Sequence, residues 1–130
     1  MKKKIKKPSL AKAKKKAWDT FSLYVRTRKN IGGFTTCITC GRLKSYKKLQ
    51  AGHFIPGRHN AILFDERGVH PQCYTCNVVL GGNGPKYYEW MLKNYGLAII
   101  KELEALDTTT VIYTVQDFMD IEKKYKELVK

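Results

Sequence analysis

The chain has 130 residues, 43% of them hydrophobic, and a formal net charge of +14. That length sets one domain with a modest core, and that apolar content excludes wholesale disorder. No apolar run approaches the roughly 18 to 20 residues a membrane span needs. The lysine-rich start has no signal-type apolar stretch behind it, so the expected setting is a reducing cytoplasm with no membrane partner.

Nine lysines fall within the first sixteen residues, leaving +5 for the other 114. Residues 1–16 are therefore expected to be a flexible basic arm, with Lys12, Lys14, Lys15 and Lys16 among its cations. Residues 17–130 are expected to form the single folded domain. Such a charge favours a polyanion, because each neutralised phosphate releases condensed counterions.

In chain order, Ser9 reads as the N-cap of a first helix running to about Asn30. Ala13, Ala17, Phe21 and Tyr24, with Trp18 and Val25 beside them, give it an apolar stripe, and Gly32 and Gly33 stop it. From Phe34 to Phe64 the pattern turns to short extended runs. Lys48 to Ile55 reads as a strand, Pro56-Gly57 as a turn and Ala61 to Phe64 as a return strand. A short helix is expected from about Cys73, ended by GGNGP at 81–85. Helices follow over Tyr87–Asn94 and Leu97–Leu106, and a last one begins at Thr114, capped with Asp117. Val115, Phe118, Met119 and Tyr125 would be its buried side. The fold expected is α+β: a basic N-terminal helix, a cysteine-closed ββα core over about 34–84 and a helical cap over about 86–130.

All four cysteines lie in two CxxC pairs, Cys37-Ile-Thr-Cys40 and Cys73-Tyr-Thr-Cys76, separated by 32 residues. Each pair offers two thiolates from one turn, and four thiolates close a tetrahedral zinc site. With no position left for water, that Zn2+ would be structural, pinning the loop between the pairs. The loop holds all three histidines, His53, His59 and His70, and Asn77 follows the last cysteine. An imidazole that takes a proton from water near neutral pH, and oxygen ligands for a hard cation, are what phosphodiester hydrolysis requires.

GHFIP (52–56) followed by C-x-x-C-N (73–77) resembles the HNH, or His-Me finger, nuclease pattern with its ββα-metal core. More closely, CITCG (37–41), QAGHF (50–54), FDERGVHPQCYTCN (64–77), GGN (81–83), YGLAIIKELEAL (95–106) and the final helix resemble the NinG/Rap family of phage recombination proteins. The resemblance implies a phage-encoded endonuclease for branched DNA such as D-loops and Holliday junctions, working with Mg2+ or Mn2+. It makes His53 the general base, Asn77 a ligand or orienter of the catalytic cation, and His70 a second ligand, a phosphate contact or a support for the zinc knuckle. Arg58 and Arg67 become the phosphate clamps in the loop. His59 reads as a hairpin-tip residue.

The chain departs from those patterns at Gly52 and Gln50, where the broad family and the recombination proteins respectively carry an acid. It departs again at Gly68 and Leu80, where an asparagine and a lysine are usual. Asp65 or Glu66 is left to supply the carboxylate. Two readings follow: a metal-dependent endonuclease, or a non-catalytic zinc-ribbon protein holding branched or single-stranded nucleic acid through its basic arm and tyrosines. Resolving a junction takes two symmetric cuts, which makes a homodimer through the last helix the matching assembly.

Overall fold

The computed structural model describes residues 7–129. Its frame is a pair of helices, α1 (Leu10–Thr27) and α5 (Val115–Val129), packed along each other. The Ser9 hydroxyl accepts from the Lys12 amide and opens α1, which buries Ala13, Ala17, Phe21 and Val25 at helical spacing. At the start of α5, Thr114 and Asp117 cap each other reciprocally at 2.8 and 3.1 Å. Ala13 and Ala17 meet Phe118, while Phe21 and Tyr24 meet Tyr125 about two turns further on, so the two helices run in the same sense.

The basic arm expected over 1–16 therefore divides. Residues 1–6 lie outside the described residues, but Leu10 to Lys16 form the first turns of α1 and are anchored by Ala13. Two small side chains let Phe118 approach, and that packing holds a lysine-rich turn that would fray in isolation. In α5 the buried residues are Phe118 and Tyr125, with Ile121 packed beside them, whereas Met119 is exposed.

Between these helices the chain forms two antiparallel hairpins. Strands β1 (Phe34–Thr36) and β2 (Leu43–Ser45) flank the first cysteine pair. Strands β3 (Leu49–His53) and β4 (Val69–Cys73) pair from Leu49–Cys73 to His53–Val69. The return strand is thus β4, not Ala61–Phe64. The latter residues lie in and after the short helix α2 (Asn60–Leu63), whose adjacent Ile62 and Leu63 are both buried, which a half-buried strand does not allow. β4, with sequence VHPQC, is buried at every position, so it lacks the alternation that marks a strand.

After Cys73 the expected helix is one π-helical turn over Thr75–Val79. Helices α3 (Gly84–Asn94) and α4 (Leu97–Asp107) then cover the face of the β3–β4 hairpin opposite α1, with Tyr87, Met91, Ile100 and Leu103 as their core. The expected C-terminal cap over 86–130 is accordingly two separate units: α3 and α4 on one side of the hairpin, α5 against α1 on the other. Glu66 ties the α1–α5 side together, accepting from the hydroxyls of Tyr24 at 2.9 Å and Tyr125 at 3.0 Å. Among the described residues no helix is long and apolar enough to cross a membrane.

Candidate functional site

The four cysteines converge. Their sulfurs all lie within 4.8 Å of one another, and Cys40 Sγ is 3.8 Å from Cys73 Sγ. A tetrahedron with Zn–S bonds of about 2.3 Å has sulfurs about 3.8 Å apart, so the cluster is already at the size of one zinc ion. The Gly41 amide donates to the Cys37 carbonyl at 2.8 Å, closing the first turn, and the Cys76 amide approaches Cys73 Sγ at 3.5 Å. None of the four forms a disulfide. Burial, then hydrogen bonding to the sulfurs of Cys37 and Cys73, pushes the Cys40 thiol up to about 12. Four sulfurs at this spacing could hold one cation as thiolates, and Zn2+ suits the donor set and geometry.

The zinc-sized cluster sets the base of β3 and β4, and a cleft opens beside β3. Ala51, His53, Arg58, Asn77 and Gly82 line a space of about 280 Å³, so His53 and Asn77 face the same opening. The His53 ring stacks on Trp18 at 5.1 Å with 19° between planes. Its Nε2 lies 3.1 Å from the Leu63 carbonyl, which accepts only from a protonated nitrogen and so leaves Nδ1 as the unprotonated, basic one. Burial, followed by the charge of Arg58, lowers the pKa of His53 below its ordinary value, keeping the ring neutral near pH 7. The Asn77 amide donates to Gln50 Oε1 at 2.7 Å, leaving Asn77 Oδ1 to accept.

A family model described as Bacteriophage Lambda NinG protein matches residues 1–130. The chain belongs to the NinG family. Protein ninG of Salmonella phage P22 is 32% identical over 95 residues, covering 72% of this chain and 46% of that protein. Protein ninG of Escherichia phage lambda is 28% identical over the same shares. The chain thus spans about half the length of the curated relatives it matches. No solved structure matches it.

Several residues singled out in this NinG-family sequence lie away from the cleft. His70 is buried in β4, where Arg28 donates to its Nδ1 at 2.9 Å and its Nε2–H donates to the Arg67 carbonyl at 2.8 Å. Trp90, at 4.4 Å, and Tyr95 close around it. Both ring nitrogens are taken by these bonds, so in this structure His70 supports the fold, one of the roles expected of it. Asp65 is likewise committed, accepting from the Arg67 amide and from its guanidinium at 3.0 and 2.8 Å. Arg67 also reaches Glu102 at 3.2 Å. Arg67 is thus held by two carboxylates, and Asp65 by the Arg67 guanidinium, away from the cleft. His59 pairs with Asp107 at 2.6 Å.

The departure at Gly52 has a steric cause. A Cβ built there lies 1.8 Å from Gln72 Oε1 and 2.7 Å from Gln72 Cδ. Gln72 is fully buried and cannot swing away, because its amide donates to Thr39 at 3.1 Å and to the Gly82 carbonyl at 2.9 Å. An acid at position 52 has no room. We expect Gly52→Ala to lower unfolding free energy by about 1 to 3 kcal/mol in urea titrations through overpacking. An unchanged midpoint would mean that Gln72 moves freely.

His70 supplies a pH test. Burial, and then Arg28 and Lys29, pull its pKa down to about 3, against about 6.5 in an unfolded chain. As pH falls below 6.5 the unfolded chain takes up the proton first, so this stability is complete above pH 6.5 and is lost on the way toward 3. At pH 5 the loss amounts to about 2 kcal/mol. Urea midpoints of the parent and of His70→Gln, compared at each pH, should show a shallower acid fall in the variant. Parallel curves would refute the buried neutral imidazole.

Two residues that hold the cleft's side chains, Trp18 against His53 and Gln50 against Asn77, are not legible as such. Trp18 reads as part of the apolar stripe of α1, yet it forms a row with Lys14, Ser22 and Arg26 at four-residue spacing, a signal visible in the sequence. Gln50 reads only as a missing acid, although it is the partner of Asn77.

Proposed function

We propose that this protein is an endonuclease acting on branched DNA recombination intermediates, such as D-loops and Holliday junctions. The observation that carries the reading is the shared opening of His53 and Asn77 beside a zinc-sized cysteine cluster. His53 Nδ1 takes a proton from a water as that water bonds to the phosphorus of a phosphodiester drawn into the cleft. The phosphorus–oxygen bond to one sugar breaks, the departing alkoxide takes a proton from solvent, and the imidazolium returns its proton to solvent. Leu63 and Trp18 hold the imidazole in one tautomer and one plane, which makes proton transfer directional. Arg58, which forms no hydrogen bond or ion pair among the described residues, is placed at the cleft to neutralise charge building on the phosphate. The lysines of α1 supply affinity without sequence preference.

The resemblance implies Mg2+ or Mn2+ in addition, but the donor set does not fit one. Magnesium is usually held by one or two carboxylates with phosphate oxygens and water. No carboxylate lines this cleft among the described residues, and Asn77 contributes a single neutral oxygen. We derive no step through such an ion. That shortage favours the second reading, a zinc protein that holds branched DNA without cutting it.

A cleavage assay on labelled four-way junctions and D-loops, with and without Mg2+ or Mn2+, separates the two. Nicking under any of these conditions is the expected result. Binding that never leads to nicking leaves only the holding function.

A further inference from the structure

Beside the His53 cleft lies a second one, of about 390 Å³, lined by Trp18, Arg26, Gln50, Arg58 and Asn77 among others. The two share Ala51, Arg58 and Asn77 and so adjoin. The second space has the parts of a nucleobase site. Trp18 supplies an indole plane, and the Arg58 guanidinium sits over it, 4.3 Å from the ring centre. Arg58 is exposed, carries a left-handed backbone at φ 52°, and holds no other partner among the described residues. Arg26, by contrast, is tied to Ser22 and to the Tyr46 carbonyl. Gln50, which lines this space, spends its oxygen on Asn77 and keeps its amide N–H groups without a hydrogen-bond acceptor among the described residues. An aromatic plane, an available amide donor and adjacent cations are the elements that bind an unpaired base and its phosphate.

We propose that this second cleft binds one unpaired nucleobase of a DNA strand, stacked on Trp18 in the place that Arg58 occupies, so that the adjoining phosphate enters the His53 cleft. The base takes over the indole face and Gln50 donates to its edge. Arg58 swings onto the phosphate it has made room for. Paired bases cannot enter without leaving their helix, so the site selects strands already unpaired, as at a branch point. This deepens the nucleic-acid reading above and rests on it.

The test uses intrinsic fluorescence, without added Mg2+ or Mn2+, so it does not depend on cleavage. The chain contains two tryptophans, Trp18 and Trp90. In Trp90→Phe, loaded with zinc, Trp18 alone reports. Titration with a short oligothymidylate should quench it, whereas an abasic strand of equal length and charge should leave emission unchanged and bind about tenfold more weakly. If Trp90→Phe unfolds, the parent protein serves, with Trp90 as a constant background. Gln50→Leu should weaken the oligothymidylate and leave the abasic strand alone. Equal quenching and equal affinity for the two strands would overturn the base site, while junction nicking could still be observed. If neither strand binds at all, the nucleic-acid reading falls with it.

Discussion

Cys73→Ser is expected to release zinc and unfold the middle of the chain, from β1 through the π-helical turn. Cys73 ends β4, pairs across to Leu49 and stands 3.8 Å from Cys40, so one substitution removes a ligand and the seam between the two hairpins. Only Cys37, Leu49, Cys73 and Cys76 are buried in this cluster, too few apolar groups to hold the exposed β1–β2 hairpin against β4 without the metal. Structural zinc contributes roughly 10 to 16 kcal/mol of apparent binding free energy in small domains, as much as the usual total stability of a domain, about 5 to 15 kcal/mol. The loss should therefore appear as a missing near-UV signal and the absence of a cooperative melt for this region, while the α1–α5 pair retains far-UV helicity. Zinc content by elemental analysis should fall from one ion per chain to none. A Cys73→Ser protein that melts as the parent does, with no zinc bound, would refute the claim that the four sulfurs hold this fold together.

His53→Ala should lower junction nicking by about 10² to 10⁴, the usual contribution of a positioned base, and leave binding within a few-fold of the parent. Its pH behaviour follows from the burial that lowers the His53 pKa. Protonation removes the base, so the rate should hold as pH falls through 6.5 and decline only below the depressed value. Arg58→Ala deletes a positive charge that disfavours the imidazolium, and should move that acid limb upward. It should also slow the reaction, since the same guanidinium faces the phosphate. A His53→Ala protein that nicks at the parental rate would remove His53 from the chemistry, whatever the rest of the cleft does.

Much of this is written in the local order of residues. Cysteine spacing is a local pattern with a chemical meaning, so four ligands for one ion follow from the sequence, as do Ser9 and Thr114 as caps and the buried stripe of α1. Those features depend on near neighbours in the chain. β4 did not announce itself, because a strand buried on both faces has no alternation and this one hides His70, Pro71 and Gln72 inside. The roles of the titratable groups were equally closed to inspection. Asp65, Arg67 and His70 are polar residues in the right loop, but Asp65 and Arg67 bond to each other, Arg67 also to Glu102, and His70 to Arg28 and the Arg67 carbonyl. Only the way α1 lies along β3 sets Trp18 against His53 and Arg58. That is a contact between residues 35 to 40 positions apart, which no periodicity encodes and only packing in three dimensions can make.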